Sequence, residues 1–160
     1  SLAKTFYLLK DAELRVGELY AMIGLSLSIT HPDLAELFSD LAGEEQQHAR
    51  QVEVLRGYFQ HSPDSFLETP QAEAVLASFV ENVETVRRSF NQGFGKIRPG
   101  DILELALDLE RSLVERHQTF IFKVSDPGIG KLLASLSLGS NDHILRLERF
   151  KAELPASPGG

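Results

Sequence analysis

LAELFSDLAGEEQQHARQVEVLRGYF, residues 34 to 59, decides how this chain folds. Its apolar residues Leu34, Phe38, Leu41, Val52, Leu55 and Phe59 recur at helical spacing. That pattern is one face of an α-helix turned toward a partner. Glu45 and His48 stand in the middle of the same face. Residues three apart share a helix face, so both are expected to point inward together. An acid buried away from water needs compensation, from a proton, an imidazolium or a bound cation.

Working outward, three more seams of the same kind appear. The first reads Phe6, Leu9, Glu13, Val16, Tyr20, Ile23, Leu27. Another reads Leu103, Ala106, Glu110, Leu113, His117, Phe120, Val124, and the last Ile129, Leu133, Leu136, Ser140, His143, Leu147, Phe150, Leu154. Each is apolar except near its middle, and none contains Lys or Arg. Helical periodicity is found nearly everywhere and strand-like alternation is missing, which predicts an all-α fold.

Five helices are expected. The first spans about Thr5 to Ser28. The second follows Thr30-His31-Pro32-Asp33, with Thr30 as cap and Pro32 in the first turn, and runs to about Gln60. Thr69-Pro70 opens a third, reaching Gln92, whose stripe Ala72, Leu76, Phe79, Val83, Val86, Phe90 must be buried against the other helices or a second copy. Asp101 with Glu104 is read as a capping pair for the fourth helix, which extends to about Val124. The fifth runs from Pro127 to Leu154, leaving residues 155 to 160 as a flexible tail after a single domain, 1 to 154. Two helical hairpins joined by a long connection make a four-helix bundle with one crossover.

The turns set the heights of the polar residues. Glu13 lies 17 residues before Thr30, and Glu45 and His48 lie 15 and 18 after it. Glu110 lies 16 residues before Asp126, and Ser140 and His143 lie 14 and 17 after it. At ~1.5 Å of rise per residue these levels agree within a few ångströms. The acids and imidazoles are therefore expected to meet. Carboxylate oxygens with imidazole nitrogens suit iron, manganese or zinc.

Composition removes other classes. The net charge is −7, which argues against nucleic acid and against an anionic membrane surface as partners. With no Cys, thiolate metal sites, disulfides and thiol nucleophiles are absent. No apolar run approaches the ~20 residues of a membrane span, and Ser1 to Lys10 lacks the order of a signal peptide. A cytoplasmic location is the default expectation.

The matching pieces are Glu13 through Tyr20, Leu41-Ala42-Gly43-Glu44-Glu45-Gln46-Gln47-His48-Ala49, Glu110 with His117, and Asp126-Pro127 leading to His143-Ile144-Leu145-Arg146-Leu147-Glu148. In these the chain resembles the rubrerythrin family of the ferritin-like superfamily, over roughly residues 5 to 152. The resemblance implies a diiron-type centre in a ferritin-like four-helix bundle. Glu45 would bridge two metal ions, Glu13 and His48 would serve one, and Glu110 and His143 the other. It also implies an oxidoreductase acting on peroxide or dioxygen, fed by an external electron donor. Two alternatives stand beside it: a non-catalytic helical module with a decayed site, dimerising through the third helix, and a metal store or carrier.

The chain departs from the family in three places. Ser140 stands where the family has Glu, His117 stands where it often has Tyr, and the rubredoxin-like Cys module is missing. Asp142 cannot replace the lost acid, since two residues on is about 200° around the helix. Three carboxylates leave one positive charge on two divalent ions. A hydroxide could balance it, or only one ion binds well. An asymmetric site with an open coordination position beside Ser140 is expected. Tyr20 and His117 lie about 10 Å along their helices from Glu13 and Glu110, so they are expected to support the site from outside. Glu18 and Glu44 are read as facing water, and His31 and His61 as surface residues at helix ends.

Overall fold

The computed structural model describes residues 1–68, 71–93, 97–119 and 122–155, without the side chains of 68, 115–119, 122 and 123. The expectations for Thr69-Pro70, for the His117 and Phe120 side chains and for the tail beyond Pro155 fall outside the described residues.

Five long helices carry the fold: α1 (Leu2–Leu27), α2 (Pro32–His61), α3 (Ala72–Gln92), α4 (Pro99–Thr119) and α5 (Pro127–Glu153). A single 3-10 turn, Pro63–Ser65, follows α2. The protein is all-helical apart from two three-residue strands, β1 (Phe66–Glu68) and β2 (Phe122–Val124). They pair antiparallel, Phe66 opposite Val124 and Glu68 opposite Phe122. The ladder corrects the expectation that α4 continues to Val124. It ties the connection after α2 to the connection after α4. No described helix is long and apolar enough to cross a membrane.

Local chemistry explains the helix ends. Pro32 sits at the start of α2, where its missing N–H satisfies no bond in any case. Thr30 does not cap α2: the cap residue is His31, without a side-chain bond, and Thr30 Oγ1 lies 3.0 Å from His31 Nδ1. The reason is that α1 runs over into a turn that reaches Thr30 before the chain reverses. Nor is Asp101 a cap. Since α4 begins at Pro99, Asp101 lies inside its first turn, and Glu104 pairs instead with Lys151 of α5. Asp126 does cap α5, its Oδ1 accepting from the N–H of Gly128 (2.8 Å) and Ile129 (3.1 Å). At the start of α3, Gln71 adopts φ 76° and its carbonyl accepts from Val75.

Helices α1 and α2 form a close antiparallel pair. A Cβ on Gly17 would meet Glu45 Cβ at 3.2 Å, and one on Gly24 would meet the Ala35 carbonyl at 3.2 Å. These two glycines, seven apart, let the backbones approach. Helices α4 and α5 form the second antiparallel pair, joined outside by Arg111–Glu148 and Lys151–Glu104. The long connection through α3 returns the chain to the other end. Its stripe is buried within this chain: Phe79, Val83 and Phe90 join one core cluster and Leu76 another.

The interior is divided. One apolar cluster gathers Val16, Leu19, Ile23 (α1), Leu34, Phe38, Leu41 (α2), Leu103, Ala106, Leu113 (α4) and Leu147 (α5). A second gathers Phe6, Leu9 (α1), Val52, Leu55 (α2), Phe66, Ile129 and Leu136 (α5). On α2 and α5 the polar seam residues lie between the two clusters, and on α1 Glu13 sits between Ala12 and Val16 of the first.

Candidate metal centre

Glu13 from α1, Glu45 and His48 from α2, Glu110 from α4 and Ser140 and His143 from α5 all lie in the interior. Glu13, Glu45, Glu110 and Ser140 are fully buried, and His143 and His48 are 1% and 7% exposed. The seams place them there: each occupies a position whose neighbours one turn away are core apolar residues.

Side-chain geometry brings five of them together. His48 Nδ1 lies 3.3 Å from Glu45 Oε2 and 3.6 Å from Glu13 Oε2. His143 Nδ1 lies 2.9 Å from Glu45 Oε1 and 3.0 Å from Glu110 Oε1. The two imidazoles stack at 5.2 Å, 23° from parallel. Glu45 thus turns one oxygen to each imidazole. Glu13, Glu45 and His48 form one group whose ligand atoms all lie within 4.8 Å of one another, and Glu45, Glu110 and His143 form another. Either group is close enough to hold a metal ion.

Protons balance the buried acids when no cation is bound. Burial pushes the Glu45 carboxyl well above its usual range, and neighbouring Glu110 and Glu13 push it further. Burial pulls the His48 imidazolium down, but hydrogen bonding to Glu13 and Glu45 more than reverses this, to about 10. His143 is likewise raised to about 10, Glu110 and Glu45 overcoming its burial. Two imidazoliums therefore face three acids, of which Glu45 is held toward its neutral form. Glu110 Oε2 and Ser140 Oγ are buried with no hydrogen-bond partner among the described residues. Buried oxygens left this way are what a bound ion or its water would satisfy.

Tyr20 reaches across from α1. Its O–H donates to Glu110 Oε1 at 3.0 Å, with the Ala106 carbonyl at 3.4 Å. Burial and the Glu110 charge hold its phenol well above its usual range, so it stays a donor. The expected outer support is therefore placed on Glu110, not on Glu13 of its own helix. Glu18, His31 and His61 are exposed, as expected.

Two residues near the centre were not singled out from the sequence as parts of it. Glu44 was read as facing water. Its side chain is 38% exposed, but its Oε2 comes within 3.3 Å of His143 Nε2 and 2.6 Å of Arg146 Nη1. Gly139 lies against His48: a Cβ there would stand 2.3 Å from Nε2. The centre is an interior cluster and not a cleft. A surface groove between Tyr7, Lys10, Leu14, Arg56 and Phe59 is lined by none of these acids or imidazoles.

Compared with protein-family models, with curated proteins and with solved structures, the chain matches none.

Proposed function

We propose that this chain is a ferritin-like protein of the rubrerythrin kind, holding two iron ions between its helices and acting on peroxide or dioxygen. The observation that carries this reading is Glu45, whose two oxygens face two different imidazoles, each completed by a further buried carboxylate. Glu13 and His48 would hold one ion and Glu110 and His143 the other, with Glu45 common to both groups. Iron in such a setting supplies one-electron chemistry toward oxygen species.

The chain's own residues do the rest. The two apolar clusters keep bulk water from the centre. Tyr20 orients Glu110 by donating to its Oε1. Ser140 offers a buried, unused hydroxyl where the longer acid of the family would reach toward an ion. An external electron donor would supply the electrons.

Calorimetric titration of metal-stripped protein with ferrous iron under anaerobic conditions tests the first part. Micromolar or tighter uptake of two equivalents is expected; no uptake leaves a non-catalytic helical module. Stopped-flow mixing of the ferrous protein with peroxide or dioxygen tests the second. Oxidation no faster than that of free ferrous iron would leave a metal-holding protein without the activity.

A further inference from the structure

The two halves of the centre differ on the side facing away from the acids. Behind His143, Nε2 lies 3.3 Å from Glu44 Oε2. Glu44 is itself held by Arg146 Nη1 at 2.6 Å, and Arg146 also reaches Asp142 Oδ2 at 3.3 Å. Behind His48 there is backbone: Nε2 abuts Gly139 of α5. Among the described residues, the carboxylates that pair with His48 are Glu13 and Glu45, both on its Nδ1 side.

We propose that Glu44 is a positioning residue: its carboxylate takes the outward nitrogen of His143 and thereby commits the inward one to metal, making the Glu45–Glu110–His143 position the tighter of two unequal sites. The inference rests on the metal-binding reading above. Its logic is that of an imidazole with two distinct nitrogens. When Nε2–H is fixed to a carboxylate, Nδ1 carries the lone pair, the ring cannot rotate, and ligand basicity rises. Glu110 is fixed in the same half by Tyr20, so both side chains special to that half are oriented before an ion arrives. On its outward side His48 is confined by the shape of α5 at Gly139. The ion pair with Arg146 keeps Glu44 directed inward even though it is partly exposed, and it links α2 to α5 at the level of the site.

Zinc(II) is the probe, added by calorimetry to the metal-stripped full chain. For the natural sequence two events of different affinity are expected, the first lost in His143→Ala and the second in His48→Ala. Glu44→Ala should weaken the first event by about 10- to 100-fold and leave the second within experimental error. Glu18→Ala, at an exposed acid on α1, should change neither. In the zinc-loaded protein, proton NMR should show a low-field imidazole N–H assigned to His143 that disappears in Glu44→Ala; a merely structural role for Glu44 would not move that signal. Two events of equal affinity, or a Glu44→Ala protein whose first event and His143 signal are unchanged, overturn the proposal while the metal-binding reading stands. No zinc uptake by the natural sequence overturns both.

Discussion

At the scale of single residues, the centre is set by close contacts of about 3 Å between side chains. Gly139 is the clearest case. With a methyl group 2.3 Å from His48 Nε2, Gly139→Ala forces the ring off its present line. Overpacking of this kind costs about 1–3 kcal/mol, and the same tilt withdraws Nδ1 from Glu13 and Glu45. Chemical denaturation should show the stability loss, and metal titration should show weaker binding on the His48 side with the His143 side retained. The imidazoles also set a pH dependence. Both are raised from an ordinary 6.5 to about 10 in the metal-free protein. A raised histidine stabilises the fold fully below its unfolded value and loses that contribution as pH climbs through the folded value. Melting of the metal-free protein should therefore fall as pH rises from 7 through 10. Metal binding must displace those protons, so uptake at neutral pH should release them and tighten toward alkaline pH, as unbuffered titration would register. Glu13, Glu45, His48, Glu110, Ser140 and His143 were legible in the sequence because each interrupts an apolar seam at one height. Gly139 and Glu44 were not. Their roles depend on which residue of α5 comes against which residue of α2, and periodicity within one helix carries no such information.

At the scale of elements, the helices follow from their stripes and their ends do not. The start of α5 at Pro127 agrees with the sequence reading, and Asp126, read there only as part of the turn, caps it. Asp126→Ala should cost roughly 1 kcal/mol through the lost cap, measurable in urea. Because His143 lies about four turns beyond that end, fraying of the first turn of α5 should leave metal affinity nearly unchanged, a contrast with Gly139→Ala. Where the end is set by what the chain must reach next, the sequence reading missed. Val124 continues the apolar spacing of α4, yet it pairs with Phe66 in the two-stranded ladder. A strand of three residues is too short to show alternation, and its partner lies on a distant connection. Thr30 and Asp101 have good cap chemistry, but α2 begins one residue later than Thr30 would cap and α4 three residues earlier than Asp101 would. The stripe of α3 was open to two outcomes, and its burial beside α1 and α4 is a tertiary choice that spacing alone leaves undetermined.

At the scale of the whole molecule, the interior is two apolar clusters with charged groups between them. Hydrophobic burial at both ends holds those acids in a place they would not choose alone. Any ion that binds the folded form and not the unfolded chain adds stability by mass action, about 2.7 kcal/mol at a hundredfold excess over Kd. Removing metal with a chelator should accordingly lower the melting temperature of the natural sequence and leave that of a Glu45→Ala/His143→Ala protein unchanged; equal melting of both with and without chelator would falsify the linkage. With its ends held by apolar packing and its waist occupied by three acids against two imidazoliums, the bundle should open more readily at the girdle than at the tips. A cation there acts as a rivet through four helices at once. Hydrogen exchange of backbone amides should then slow on loading most of all in the turns around residues 13, 45, 110 and 143, while the amides of Ile23 and Leu55 keep the protection they already have.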